Sequence, residues 1–336
     1  MKILLHAGVD LSLPGGLETH VRELALGLMA RGHDVEIHGR PAQLPPFRMV
    51  DAIRPGRYDI VHHHGSVWPA GVDPGARYVR SFHFCTAAKM EVYVRMGRLR
   101  TLLNPGNWRG LADERRSCHR PGRMIAVSPR LARELEHYYG MDPAGMTMIP
   151  NGATFSAPAE SRAAIRARHG IADDAPLLLT IGRADYVKGY DLLERAWARV
   201  RAALPGAVWV GVGGAAAARA PGRLITGSVP HAEVVSWVHA ADVGAMPSYY
   251  EGCGLAILEM LCGGLYVLSH DVGIAPQAIR GGANGQLVER DAEAWSAAMI
   301  AELRRLPKGA GLDPCFRWER IVERVEAVYE QVRAGH

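Results

Sequence analysis

The sequence predicts an α/β protein of two doubly wound, Rossmann-like domains, and three observations carry that prediction. Short apolar, β-branched runs alternate with amphipathic stretches along the chain, as βαβ units on a parallel sheet require. At 336 residues, 48% of them hydrophobic, the chain exceeds one compact domain and has the apolar material for two. Glycine-containing segments follow several of the strand runs, and open α/β sheets bind their ligands at the carboxyl ends of strands.

In the first half, Lys2 to His6, Val35 to His38, Asp59 to His63, Tyr78 to His83 and Met124 to Val127 read as strands. Thr19 to Ala30 reads as the first helix: Val21, Leu24, Ala25 and Leu28 recur at helical spacing, and Gly32 ends it. Between Lys89 and Leu103, apolar Met90, Tyr93, Met96, Leu99, Leu102 and Leu103 recur at roughly helical spacing, with Arg95, Arg98 and Arg100 between them. That pattern fits a membrane-surface helix and equally a helix packed on its own domain. At Ile149-Pro150-Asn151-Gly152 the alternation breaks into a turn and then a polar, alanine-rich stretch, the expected linker between domains at 1–153 and 154–315. A second set of strands is expected at Pro176 to Ile181, Ala207 to Gly211, Arg223 to Thr226, Asp242 to Met246 and Leu265 to Ser269. Helices are expected at Tyr190 to Ala203, Ala232 to Ala240 and Leu255 to Cys262. A last amphipathic helix, Phe316 to Val332, carries Trp318, Ile321, Val322, Val325 and Tyr329 on one side.

Five scattered cysteines without a Cys-x-x-Cys pair read as reduced thiols. No run approaches the roughly 20 apolar residues of a membrane span, and the opening apolar run meets a glycine loop before a secretory core forms, so a cytoplasmic location is expected. The net charge of +5 is uneven: ten arginines lie between Arg95 and Arg133 against only Asp113 and Glu114. Such a stretch attracts phosphates or acidic lipid heads, making an anionic membrane face a candidate partner. No helix-turn-helix, RNP or zinc-finger pattern accompanies it, so no nucleic acid is expected.

The strongest constellation is Pro247-Ser248-Tyr249-Tyr250-Glu251-Gly252-Cys253-Gly254-Leu255 through Glu259, directly after a strand. Gly252 and Gly254 let a ligand approach the backbone, and the helix from Leu255 offers free amides to a phosphate. Glu251 and Glu259 flank that anion site, and a glutamate there fits only if it grips hydroxyls, as of a sugar or ribose. After another strand, Gly182-Arg183-Ala184-Asp185-Tyr186-Val187-Lys188-Gly189 brings two cations suited to a diphosphate. Near the amino terminus, Leu13-Pro14-Gly15-Gly16-Leu17-Glu18-Thr19-His20 opens the first helix with amides that face a phosphate or sugar. Neither this segment nor Gly211-Val212-Gly213-Gly214 has the full spacing of a dinucleotide fingerprint, which argues against a dehydrogenase. His62, His63 and His64 are neighbours on an extended chain and point to opposite faces, so no metal is expected there; one of them is assigned to an acceptor cleft.

Together, Gly15-Gly16-Leu17-Glu18-Thr19-His20, Ser81-Phe82-His83, Ala126-Val127-Ser128, Ile149-Pro150-Asn151-Gly152, Gly182-Arg183 through Lys188-Gly189, and Glu251 to Glu259 resemble family 4 retaining glycosyltransferases of the GT-B fold, along essentially the whole chain. The resemblance implies two domains facing a central cleft, with the helix from about 316 to 336 rejoining the first domain. It implies a donor site in which Arg183 and Lys188 hold the pyrophosphate, Glu259 the ribose hydroxyls and Glu251 the sugar. Gly15 and Gly16 would lie against the phosphates, His83 beside the donor sugar, and Ser228-Val229 at the base. Gly252, Cys253, Gly254 and Leu255 complete the donor set, and His83, Glu251, Arg183 and Lys188 form the catalytic set. Glu18, His20 and His64 are assigned to the acceptor. The implied reaction keeps the anomeric configuration and needs no metal or cofactor beyond the nucleotide-sugar co-substrate, for which uridine is favoured. The implied acceptor is a polysaccharide, glycolipid or small metabolite. Two positions depart from the family pattern: Cys253 stands where an aromatic residue is common, and Val272 to Gln277 replaces a segment that usually carries paired glycines and a glutamate. Two other readings stay open on the same architecture, a nucleotide-sugar epimerase, which needs further acid and base carboxylates, and a catalytically idle nucleotide-sugar binder.

Overall fold

The computed structural model describes residues 1–54, 56–65, 77–119, 122–153, 157–183 and 186–335. In chain order the elements are β1 (Lys2–Asp10), α1 (Gly16–Ala30), β2 (Asp34–Arg40), β3 (Arg48–Val50), β4 (Ile60–His63), β5 (Tyr78–Phe82), α2 (Thr86–Arg95), α3 (Pro105–Cys118), β6 (Arg123–Ala126), α4 (Pro129–Tyr139) and β7 (Met146–Met148). They continue as α5 (Arg162–Arg168), β8 (Leu177–Ile181), α6 (Tyr190–Ala203), β9 (Val208–Ala220), β10 (Arg223–Gly227), α7 (His231–Ala240), β11 (Val243–Met246), α8 (Leu255–Cys262), β12 (Tyr266–Ser269), α9 (Ala275–Ala278), β13 (Gly285–Leu287), α10 (Ala292–Arg305) and α11 (Trp318–Ala334). The chain divides into two compact units, Met1–Gly152 with Cys315–His336, and Ala153–Pro314.

The first unit is a parallel sheet in the order β3-β2-β1-β4-β5-β6-β7, so the direction of winding reverses between β1 and β4. Its apolar core joins the strands to one face of α1 (Val21, Leu24, Ala25, Leu28) and one face of α11 (Ile321, Val322, Val325, Tyr329). The two helices cross closely at Gly27, where a Cβ would lie 2.4 Å from Val322 Cγ2. Gly152 likewise lies under the Trp318 ring, which its added Cβ would approach to 2.5 Å. Burial of this apolar face, rather than proximity in sequence, makes α11 part of the first unit.

α4 has strong local reasons to form: Ser128 Oγ accepts from Leu131 N at 3.1 Å, Pro129 opens the helix, and left-handed Gly140 closes it. The expected single helix over Lys89 to Leu103 is instead broken. α2 ends at Arg95, Gly97 turns the chain with φ 69, and a separate 3-10 turn follows at Leu99–Leu103. α3 then begins under an Asn104 cap, its Oδ1 accepting from Gly106 N at 2.9 Å. A left-handed glycine inside an otherwise periodic run ends the α-helical path there.

The second unit has the order β10-β9-β8-β11-β12-β13, and its winding reverses between β8 and β11. Its core packs Trp209, Trp295, Leu193, Trp197 and Leu268. Asp242, at the start of β11, accepts from the fully buried Arg166 at 2.9 Å, from Arg162 at 2.9 Å and from Leu177 N at 2.8 Å. That carboxylate ties α5 to the starts of two central strands. β9 runs well past the expected Gly211, to Ala220, and its register with β10 shifts so that Arg223 lies across both Trp209 and Ala220.

Candidate active site

In a doubly wound sheet a crevice opens where the winding reverses, because the loops after the two central strands lead to opposite faces. In the second unit those loops follow β8 and β11. They are Gly182 to Gly189, of which Ala184 and Asp185 lie outside the described residues, and Pro247 to Gly254. Tyr249 N donates to Val187 O at 2.7 Å, joining the two loops. Gly189 is left-handed (φ 70) and packs so tightly that a Cβ would fall 1.9 Å from Pro247 O. This junction brings Lys188 Nζ to 2.6 Å from Glu251 Oε1, and Ser248 Oγ donates to the same oxygen at 2.8 Å. Arg183 is exposed at the end of β8.

Gly254 caps α8 in the left-handed region (φ 95), so the first amides of that helix open directly beside Glu251. Glu259, one turn further along, meets His231 Nε2 at 3.1 Å, and His231 opens α7 just after Ser228 and Val229. Ser228 is exposed and Val229 half-buried, while Gly252, Cys253 and Gly254 are buried and Leu255 is half-buried. Val272 to Ala275 buttresses this turn. Ile274 N donates to Cys253 O at 2.7 Å, and a Cβ on Gly273 would fall 2.2 Å from that same carbonyl. The loop after β8 is held from its other side by Gly182 N donating to Val212 O at 2.8 Å, with Gly213 packed on Gly182 O. The Gly211 to Gly214 run thus shapes the strand end that presents Arg183.

In the first unit the winding reverses between β1 and β4, and the loop after β1 leads into α1. Gly15 caps that helix, and Gly16 is exposed with open space around its Cα. Glu18 lies half-buried in the first turn. Past the ends of β4 and β5, buried His64 and half-buried His83 meet through Nδ1 and Nε2 at 3.2 Å, and the ring of buried His20 lies edge-on to His83 at 4.6 Å. Burial holds His64 and His83 well below the usual imidazole range and His20 at about 4, so all three are neutral at pH 7. One ring nitrogen from each of His20, His64 and His83 lies within 4.8 Å of the other two, a spacing that one metal ion spans. His20 comes from α1, His64 from the end of β4 and His83 from the end of β5, so this grouping is distinct from the run His62 to His64 along one strand, where no metal is expected. The hydrogen bond between His64 and His83 already engages two of the nitrogens. His62 is structural: its Nδ1 pairs with Tyr329 OH at 2.6 Å and its Nε2 with Ser81 Oγ at 2.8 Å, tying β4 to α11 and β5.

Residues 38–156 match the model of Glycosyltransferase Family 4, and residues 175–305 that of Glycosyl transferases group 1. A D-inositol 3-phosphate glycosyltransferase of Geodermatophilus obscurus is 33% identical over 86% of this chain and 71% of its own length. The chain belongs to the family 4 glycosyltransferases. Among solved structures, sucrose-phosphate synthase of Thermosynechococcus elongatus shares the fold over 100% of both chains, with TM-score 0.73 at 20% identity. Anabaena HepE in complex with UDP-glucose shares it over 100% of this chain and 99% of its own, with TM-score 0.70 at 15% identity. The fold class is therefore GT-B, with two Rossmann-like units, and the protein is a sugar-transferring enzyme.

In this glycosyltransferase Ser248 and Gly273, which lie inside the motif segments but carry no assigned role, and His231 and His270, which lie outside them, all shape the site. His270 Nδ1 bonds Ser248 O at 3.0 Å while its Nε2 accepts from Trp295 Nε1 at 2.8 Å, anchoring the loop that carries Glu251 to the core. Ser248 could have been found from its place in the Pro247 to Glu259 run. The two histidines could not, since each joins the site from another element.

Proposed function

We propose that this glycosyltransferase moves a sugar from a UDP-sugar to a hydroxyl of a small phosphorylated metabolite or glycan precursor, with retention of anomeric configuration and without a bound metal. The observation that carries the reading is the Lys188–Glu251 pair, 2.6 Å apart, beside the open amides of α8 at the point where the second sheet reverses. A cation, a helix amino end and a carboxylate in one place suit the two halves of a nucleotide sugar: the first two suit the diphosphate, the last the sugar hydroxyls. Arg183 adds a second charge at the end of β8. Glu259 faces the ribose and Ser228-Val229 the base, with Gly252, Cys253, Gly254 and Leu255 framing the phosphates. HepE, which shares the fold, binds UDP-glucose, and this supports uridine. The named substrate of the inositol phosphate enzymes supports a phosphorylated polyol as acceptor.

In the step itself, the bond from the anomeric carbon to the UDP oxygen breaks, a bond to the acceptor oxygen forms on the same face, and the acceptor's hydroxyl proton passes to the departing UDP oxygen. Charge grows on the departing diphosphate, and Arg183 and Lys188 offset it, so their contribution is largest in the transition state. His83, neutral and held by His64, is suited to bond a sugar hydroxyl; at the start of α1 Gly16 has open space around it, whereas the Glu18 carboxylate lies over Gly15 and must turn aside before a phosphate can approach there. Glu18, His20 and His64 are assigned to the acceptor side, His20 and His64 through the positions they impose on their neighbours. Among the described residues no helix is long and apolar enough to cross a membrane.

A thermal-shift panel of UDP, GDP, ADP and dTDP tests the donor, because a ligand bound only by the folded state at a hundred times its dissociation constant adds about 2.7 kcal/mol. UDP alone is expected to raise Tm. Arg183→Ala is expected to cut turnover at least about a hundredfold with Tm unchanged. Near-normal turnover in that variant would overturn the assignment, and nucleotide binding without any sugar transfer would favour an idle binder.

A further inference from the structure

The arginine-rich segment between α2 and α3 has no part in the reading above. Residues 92–112 contain Arg95, Arg98, Arg100 and Arg109 and no acidic residue, although Arg95 pairs with Glu91 one turn back on α2. In the structure all four are exposed, and Val94, Leu99, Leu103 and Trp108 are exposed with them, at 44%, 58%, 80% and 53%. No residue of the Leu99–Leu103 turn is buried, whereas α2 is anchored through Ala88 and Met90 and α3 through Ser117 and Cys118 at their far ends. The turn therefore projects from two helices that hold its base. It is internally bonded: Thr101 Oγ1 to Arg98 O at 2.7 Å, Asn107 Nδ2 to Thr101 O at 2.8 Å, and Trp108 Nε1 to Leu102 O at 2.6 Å. Those bonds satisfy the polar atoms of the tip locally and hold its shape, so little order is lost when it binds.

From this arrangement we propose that the tip formed by the end of α2, the Leu99–Leu103 turn and the start of α3 docks on an anionic lipid bilayer, Leu99, Leu103 and Trp108 entering the headgroup boundary while the arginines meet lipid phosphates. Charge alone suits nucleic acid as well. The two leucines decide between them, since apolar side chains this exposed lose area to water in a bilayer and gain nothing against a phosphate backbone. Trp108 adds a ring with its N–H already satisfied, the combination that favours the membrane–water boundary. Docking here brings the enzyme to lipid-borne or membrane-adjacent acceptors and does not depend on which donor it uses.

The test is co-sedimentation of the full chain with vesicles of phosphatidylcholine alone and of phosphatidylcholine with phosphatidylglycerol, at low salt and at about 1 M salt, where screening shrinks the reach of charge to about 3 Å. Recovery is expected with the anionic vesicles at low salt and to fall at high salt. Replacing Arg100 and Arg109 by Gln should lower partitioning about 25-fold, at about fivefold per charge. Leu99→Ser with Leu103→Ser should lower it as well, with Tm and turnover on a soluble acceptor unchanged. Equal recovery with neutral vesicles, no recovery with either, or loss in the arginine variant alone together with tight retention of a DNA oligonucleotide would each overturn the proposal. Because vesicle binding is read without catalysis, its failure leaves the donor assignment untouched, and the reverse holds.

Discussion

Acidification should destabilise the first unit before most of its carboxylates protonate, buried Glu114, raised by burial, being the exception that acts in the opposite direction. His6 and His20 are held at about 4 by burial, and His62, His63, His64 and His83 lie well below the usual imidazole range for the same reason. In the unfolded chain these rings titrate near about 6.5. Above that pH both states are neutral and the contribution is fully present. As pH falls, the unfolded chain binds protons that the folded unit refuses, and stability drains away as far as the folded values, which for His6 and His20 lie at about 4. One unit below the unfolded value, each ring costs about 1.4 kcal/mol, so His6 and His20 alone remove about 3 kcal/mol at pH 5.5, and the other four act in the same direction. Against a typical domain stability of about 5–15 kcal/mol, that is a large share. The assay is urea unfolding between pH 8 and 5, with amide exchange resolving the two units. In the second unit His270, also near about 4, gives a shallower dependence. His6→Asn should reduce the slope by up to one proton. A first unit whose stability is flat, or rises, between pH 7.5 and 5.5 would refute the reasoning.

Three substitutions probe the packing that positions the site. Gly152→Ala should destabilise the first unit by about 1–3 kcal/mol, read by denaturant midpoint, because its Cβ would lie 2.5 Å from the Trp318 ring. Asp242→Ala leaves Arg166 fully buried without its carboxylate and should cost about 3–5 kcal/mol, read the same way on the second unit. Gly189→Ala meets Pro247 O at 1.9 Å from a left-handed backbone and should part the loops that join Lys188 to Glu251. A fall in turnover of about tenfold or more with a smaller loss of Tm is expected, and normal kinetics would deny that the junction matters.

How far the sequence could be read depended on whether an element makes its own case. α6 and α8 were legible to the residue, as Tyr190–Ala203 and Leu255–Cys262, because apolar periodicity and flanking glycines mark both ends. The central strands were legible as apolar runs, since strands buried on both faces must be apolar throughout. β3, β7 and β13 were not: each is a three-residue strand at the edge of its sheet, and edge pairing leaves little trace in so short a segment. α4 and α10 were passed over although Ser128 and Asp291 cap them by side chain.

By itself, then, the sequence determined the fold class, the order of the long elements and which loops carry cations, glycines and carboxylates. These follow from local chemistry: periodicity, capping and the special backbone freedom of glycine. Only the tertiary structure decided that Lys188 pairs with Glu251, that His231 meets Glu259 and that His64 meets His83. It alone showed that the Lys89 to Leu103 pattern breaks at Gly97 and turns its leucines outward. The reason is the same in each case. Contact between residues far apart in sequence, and the burial that sets an imidazole's charge, are properties of the packed chain and have no local signature.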